Sequence, residues 1–183
     1  MNSTFPRVRR TQVGYDIEQV EDFLEEARRA YAADVLKVTG IDAQTIRRVS
    51  FEMVRGGYST EHVDSALDRL EDAFARRERE RAIADVGEEA FFGSIQEQAS
   101  AVLKAISRPD GERFPRQGAL TRGYRVEEVD RLIVRIIDYL DDGPELSPSE
   151  LRLQRFTSQR GGYSEDAVDE LIDQVITLIH AVH

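Results

Sequence analysis

The 183-residue chain contains no cysteine, which excludes both a disulfide framework and a thiolate metal site and suits a reducing cytoplasm. Long apolar runs are missing too, and the existing ones are far too short to span a bilayer. The opening residues, MNSTFPRVRR, lack the apolar stretch of a signal peptide, so a cytoplasmic location is expected. Positive charge is scarce: the formal net charge is −10, which argues against nucleic-acid binding, because phosphate contacts need a basic face. Arg7, Arg9 and Arg10 form a local exception ahead of the first acidic residue. Nucleotide and nucleophile motifs are absent. Each Gly-Gly is followed by Tyr rather than by Lys-Ser or Lys-Thr. No serine sits in a nucleophile elbow. No cofactor, metal or small-molecule substrate is implied, and no enzyme is expected.

A repeat is present instead. Gly-Tyr pairs occur at Gly14-Tyr15, Gly57-Tyr58, Gly123-Tyr124 and Gly162-Tyr163. Five residues after each Tyr stands a Val, namely Val20, Val63, Val129 and Val168, and each Val is followed at once by Glu21, Asp64, Asp130 or Asp169. The copies alternate in kind. The first and third follow Phe-Pro-Arg, at Phe5 and Phe114; the second and fourth read Arg-Gly-Gly-Tyr-Ser and follow Phe51 and Phe156 by seven residues. An A-B-A-B order implies a duplicated two-motif unit, with residues 1–107 and 112–183 as halves and the turn-rich "SRPDGERFPRQG" between them.

The spacing has a local cause. Asp16, Ser59 and Ser164 follow their tyrosines and are favoured helix N-caps. Tyr then precedes the cap and the Val five residues later lies one turn into the helix, the arrangement of a hydrophobic staple. The glycine before Tyr suits the left-handed residue that closes a preceding helix. Each motif therefore predicts a helix corner, the third being the loosest because Arg125 is a poor cap. Apolar residues then recur at helical spacing: Ile17, Val20, Leu24, Ala27 and Tyr31; Val63, Leu67, Leu70 and Phe74; Val126, Val129, Ile133, Ile136 and Leu140; Val168, Leu171, Val175, Leu178 and Val182. Ile172, Ile176 and Ile179 widen the last stripe, which implies burial against more than one neighbour. Asp42 and Ser147 cap shorter helices ahead of the B motifs, the second with Pro148 and Glu150 completing a capping box. A further helix is expected over about residues 88–106. No stretch reads as a strand. The expected fold class is all-α, a bundle of about seven helices from two duplicated halves, each with two Gly-Tyr corners.

"GYDIEQVEDFLEE" and "RGYRVEEVDRLI" resemble the N-terminal domain of DivIVA-type proteins of Gram-positive bacteria, and their tandem repetition is similar to the DivIVA-domain repeat proteins of actinobacteria. The resemblance covers about half the chain. It implies a polar or septal location, recognition of curved membrane by a Phe flanked by Arg, and self-association through coiled coils. The chain departs from that pattern: it lacks a long C-terminal coiled coil, has Val13 where the motif has Arg, and carries no Phe-Pro-Arg loop in the B copies.

Candidate contacts follow from these readings. Phe5, Arg7, Arg9, Arg10, Phe114 and Arg116 are the candidates for contact with a membrane or partner. A buried Phe is worth about 1.5–3 kcal/mol, and an Arg about 1 kcal/mol at an anionic surface. The alternative is that both rings fold back as plugs over helix ends. The acids after Val are either solvated helix-face residues or partners of Arg55, Arg122 and Arg160. His180 and His183 are too few to hold a metal, and Asp141–Asp142 has nothing opposite it. "ARRERERA" mixes signs and reads as a solvated face. A helix-turn-helix DNA binder is disfavoured by Glu165, Asp166, Asp169 and Glu170. The function expected is a non-enzymatic helical interaction or scaffold module in polar growth or cell division, with a protein partner or self-association. The alternative is a peripheral membrane-surface sensor, at the inner face of the poles or septum, working through the Phe-Pro-Arg loops.

Overall fold

The structure, a computed structural model, describes residues 4–32, 40–141 and 143–182. The chain divides into two compact units, Met1–Glu80 and Arg81–His183. The first contains β1 (Val13–Tyr15), α1 (Ile17–Ala32), α2 (Ala43–Arg48), β2 (Met53–Arg55) and most of α3 (Thr60–Val86), within which the boundary falls. The second contains the end of α3, then α4 (Glu88–Ile106), β3 (Arg122–Tyr124), α5 (Val126–Leu140), α6 (Pro148–Arg152), β4 (Ser158–Arg160) and α7 (Glu165–Val182).

The molecule is mostly helical, but it is not purely so. β1 pairs antiparallel with β2, Gly14 opposite Val54, and β3 pairs antiparallel with β4, Gly123 opposite Gln159. The Gly-Tyr segments expected to be bare helix corners are therefore strands in the A motifs. Strands of three residues are too short to show an alternating pattern, which needs four or more to be read. Their stability comes from partners about 40 positions away in the chain.

Three of the expected caps form, whereas among the described residues Ser59 and Ser164 precede α3 and α7 without a side-chain bond to a first-turn N–H. Asp42 accepts from Thr45 N at 2.7 Å, Asp16 accepts from Gln19 N at 3.0 Å, and Ser147 with Glu150 forms a complete capping box. Arg125 makes no side-chain cap. The open end of α5 is served from outside: Gln159 of β4 accepts from Val126 N at 3.1 Å.

Unit 2 has one continuous core. α5 contributes Val129, Leu132, Ile133 and Ile136, and α7 contributes Val168, Leu171, Val175, Ile176, Leu178 and Ile179. α4 packs on both α5 and α7, and α6 packs on α7. Helix 88–106, grouped by its sequence position with residues 1–107, thus lies in the second unit, where Val102 and Ile106 enter the core. The width of the α7 stripe is explained: it is covered by more than one helix. In unit 1 the buried residues form two smaller clusters. One joins Ala27 and Ala30 of α1 to Ile41, Ala43 and Ile46 and to Phe74 and Ala75 of α3; the other holds Val20, Tyr58 and Val63. A nearly fully buried ion pair, Arg47 Nε to Glu71 Oε1 at 2.8 Å, ties α2 to α3, and Glu78 accepts from Ala43 N at 2.8 Å.

Candidate functional site

The A and B motifs of each unit meet. Tyr15 N donates to Tyr58 O at 3.0 Å, and Tyr58 N donates to Tyr15 O at 2.8 Å. Tyr124 and Tyr163 exchange the same two bonds at 3.0 and 2.9 Å. The Phe-Pro-Arg loops close over these pairs, with Ser59 N donating to Pro6 O and Ser164 N to Pro115 O, both at 2.9 Å.

This approach explains the glycines. A Cβ on Gly14 would lie 2.1 Å from Tyr58 O, and one on Gly123 would lie 2.1 Å from Tyr163 O; Gly57 and Gly162 meet Tyr15 O and Tyr124 O at 2.3 Å. None of the four is left-handed. The positive φ values belong instead to the first glycine of each B pair, Gly56 at 70° and Gly161 at 62°. The glycine before Tyr is thus needed for close backbone contact, not for closing a helix.

Side chains cross in the same way. Phe5 packs edge-on against Tyr58, with ring centroids 5.4 Å apart, while Phe51 packs against Tyr15 at 5.4 Å. In unit 2, Phe114 meets Tyr163 at 5.3 Å and Phe156 meets Tyr124 at 4.8 Å. The hydroxyls cross as well. Tyr58 donates to Glu21 and the Tyr15 hydroxyl faces Asp64; Tyr163 donates to Asp130 at 3.1 Å and Tyr124 to Asp169 at 3.3 Å. Each tyrosine thus takes a Phe and a carboxylate from the other motif of its unit. Glu21, Asp64 and Asp169 are exposed helix-face residues, as one of the two readings expected, whereas Asp130 is buried; among the described residues none pairs with the Arg before Gly. Only the fold could reveal the crossing, since each contact spans tens of residues.

The unit 2 crossing carries additional bonds. Asp130 is 6% exposed and fully engaged: Oδ1 accepts from Tyr163 and from Arg113 Nη1 at 3.0 Å, and Oδ2 accepts from Gly111 N at 2.8 Å. Arg116 folds onto its own unit, donating to Gly161 O at 2.7 Å with its guanidinium 5.5 Å from the Tyr163 ring centre.

Burial, then the facing carboxylate, pushes the phenol of Tyr15 upward, and Tyr58 shifts the same way through burial and its bond to Glu21. Tyr163 is likewise raised, chiefly by burial, and Tyr124 is pushed up to about 12 by burial and Asp169. Burial also raises the carboxyls of Asp64 and Asp169, against the lowering effect of the tyrosine bonds. Glu128 is held below its usual range by bonds from Thr157.

No family model matches the sequence, no curated protein is detectably similar, and no solved structure matches the fold.

The remaining candidates are placed as follows. Phe5 and Phe114 are half-buried, while Arg7, Arg9, Arg10 and Arg116 are exposed. Val20 and Val63 lie with Tyr58 in one buried cluster; Val129 and Val168 lie with Tyr163 in the unit 2 core. His183 and Asp142 lie outside the described residues. His180 Nε2 stands 3.4 Å from Arg152. The charge run over 75–82 is not wholly solvated: Ala75 is buried and Arg77 stacks 4.6 Å from the Tyr31 ring centre. In unit 2 an open pocket of about 360 Å³ is lined by Ile95, Tyr139, Leu140, Leu178 and Val182, with Glu145. No helix among the described residues is long and apolar enough to cross a membrane.

Proposed function

We propose that the chain is a non-enzymatic interaction module made of two related units, each a self-clasped pair of Gly-Tyr motifs, and that it serves as a DivIVA-like scaffold in polar growth or cell division. The observation that carries this reading is the reciprocal Tyr–Phe–carboxylate crossing. The repeated tyrosines and acids are the residues a chemical site would have drawn on, and they are consumed in holding each unit together. What remains for function is surface.

The recurrence of the same bonds in both units supports duplication of one A-B unit, with the four motifs as its corners. Pairing between two motifs is satisfied within the chain, so the scaffold needs no second copy to complete its fold. The Phe rings that would enter a membrane are engaged edge-on with buried tyrosines, which supports the plug role for Phe5 and Phe114.

A fluorescent fusion expressed in an actinobacterial host tests the reading. Foci at poles or septa are expected, and they should persist in the Phe5→Ala/Phe114→Ala variant if that variant remains folded. Uniform fluorescence through the cell would count against the scaffold role. Foci lost only in the folded double variant would instead return the membrane reading.

A further inference from the structure

Arg7, Arg9, Arg10 and Arg55 are all exposed, and among the described residues none of their side chains forms a hydrogen bond or ion pair. The fold brings them together around one turn. Val8 N donates to Gly57 O at 2.9 Å, Gly56 N donates to Gln12 O at 2.9 Å, and a Cβ on Gly56 would lie 3.7 Å from Arg10 Cα. Arg55 pairs directly with Val13 across the sheet, and Met53 with Tyr15. Residues opposite one another, and two apart, share one face of a sheet. Arg55, Val13 and Met53 therefore lie on a common face, where Val13 is 55% and Met53 51% exposed. Four arginines and two uncovered apolar side chains thus gather at one turn of a chain whose net charge is −10.

Unit 2 provides an internal control. Gln12 N bonds Arg9 O at 2.8 Å in unit 1, and Thr121 N bonds Gly118 O at 2.9 Å at the same place in unit 2. Gly118 and Ala119 thus stand where unit 1 has Arg9 and Arg10. Arg122 and Ser158 stand where it has Val13 and Met53. Arg116, at the place of Arg7, is turned onto Gly161 and Tyr163. The same clasp forms with Gly118 and Ala119 in place of Arg9 and Arg10, so those two arginines are not required by it, although Arg122 and Arg160 still face each other across its sheet.

We infer that this face of unit 1 is a docking surface for a short acidic segment of a protein partner, its carboxylates paired to Arg9, Arg10 and Arg55 and an apolar residue seated on Val13 and Met53. Guanidinium forks suit carboxylates because two parallel bonds form at once. The size of the occupant follows from charge. A nucleic-acid duplex or an anionic bilayer extends well past the patch and would face the remaining acidic surface, whereas screening over about 8 Å confines a short peptide to the arginines alone. The inference rests on the interaction-module reading and names its surface.

The test selects roughly ten-residue peptides from a random displayed library on the full-length chain, a length that matches a segment of about 30 Å. Peptides rich in Asp and Glu with an apolar residue are expected. Their affinity should fall about tenfold or more in Arg9→Glu/Arg10→Glu and stay unchanged in Arg122→Glu/Arg160→Glu, with circular dichroism showing both variants folded. Enrichment of non-acidic peptides, no enrichment, or equal loss in both variants would overturn the inference. Binding of phosphatidylglycerol vesicles with the same arginine dependence, without enrichment of acidic peptides, would overturn it in favour of a membrane. None of these results depends on where the fusion protein sits in a cell, so the localisation experiment judges the scaffold reading separately.

Discussion

A methyl group added at Gly123 would sit 2.1 Å from the carbonyl oxygen of Tyr163, a backbone atom that cannot turn aside. Gly123→Ala should therefore cost at least about 3 kcal/mol in urea unfolding, since relief requires the two motifs to separate. Gly118→Ala, whose added Cβ meets only Thr121 Oγ1 at 3.8 Å, is the matched control and should stay within about 0.5 kcal/mol of wild type. The paired acids separate by environment. Asp130 holds Arg113, Tyr163 and Gly111 in a buried site, and Asp130→Asn should cost about 1–3 kcal/mol, since the guanidinium would keep only the exposed Asp110 as a counter-charge and the bonds to Tyr163 and Gly111 would weaken. Asp169 is raised chiefly by burial, so its charged form is disfavoured on folding, and Asp169→Asn should be neutral or stabilising at pH 7. Equal loss in both variants would contradict this division. Tyr58→Ala should cost more than Tyr15→Ala, read as a lower urea midpoint, because Tyr58 is fully buried and Tyr15 is not.

At the level of elements, α5 is the helix whose start is weakest. It begins with Arg125, which offers no side-chain acceptor, and it relies on Gln159 reaching over from β4. Supplying the missing cap with Arg125→Asn should raise stability by about 0.5–1 kcal/mol, read as a higher urea midpoint. Gln159→Ala should lower it by a similar amount, and that loss should shrink in the Arg125→Asn background because both changes serve the same helix end. Additive effects would show that the glutamine acts on the sheet rather than on the helix. α7 differs in kind: its apolar residues surround most of its circumference, share one core with those of α5 and are covered by α4 and α6, so it should exchange amide hydrogens most slowly.

For the whole molecule, pH acts through the clasps. Tyr15, Tyr58, Tyr124 and Tyr163 all have raised phenols in the folded chain, Tyr124 at about 12. A raised folded value means that the native state holds its protons longer than the unfolded one. The stability contributed is full below pH 10 and is lost as pH rises through the folded values. Loss of helical circular dichroism should therefore track tyrosinate absorbance between pH 10 and about 12. Unfolding that is complete before the tyrosines ionise would remove the clasps from the explanation. Asp64 and Asp169 carry the same sign: the stability they confer is present below 3.8 and lost on raising the pH through their folded values. The units should also differ. Unit 2 has a continuous core from four helices, whereas the described core of unit 1 is split and built partly on alanine, so unit 1 should lose hydrogen-exchange protection first.

The sequence by itself determined the helices and their starting points. Their causes are local: apolar residues one turn apart, and a Ser or Asp oxygen within reach of a free N–H, as at Asp16, Asp42 and Ser147. It also announced, through the four-fold recurrence of Gly-Tyr, Val and acid, that those residues share a task. Only the tertiary structure decided what the task is. Tyr and its acid serve opposite motifs, Glu21 with Tyr58 and Asp64 with Tyr15, so the spacing within one motif carries no trace of the bond. The strands escaped for the same reason, since three residues hold no periodicity and their partners lie far along the chain. Arg55 joined Arg7, Arg9 and Arg10 because the loop before β1 wraps the turn after β2, a neighbourhood fixed by backbone bonds that any residue can make and that leave no mark on side-chain composition.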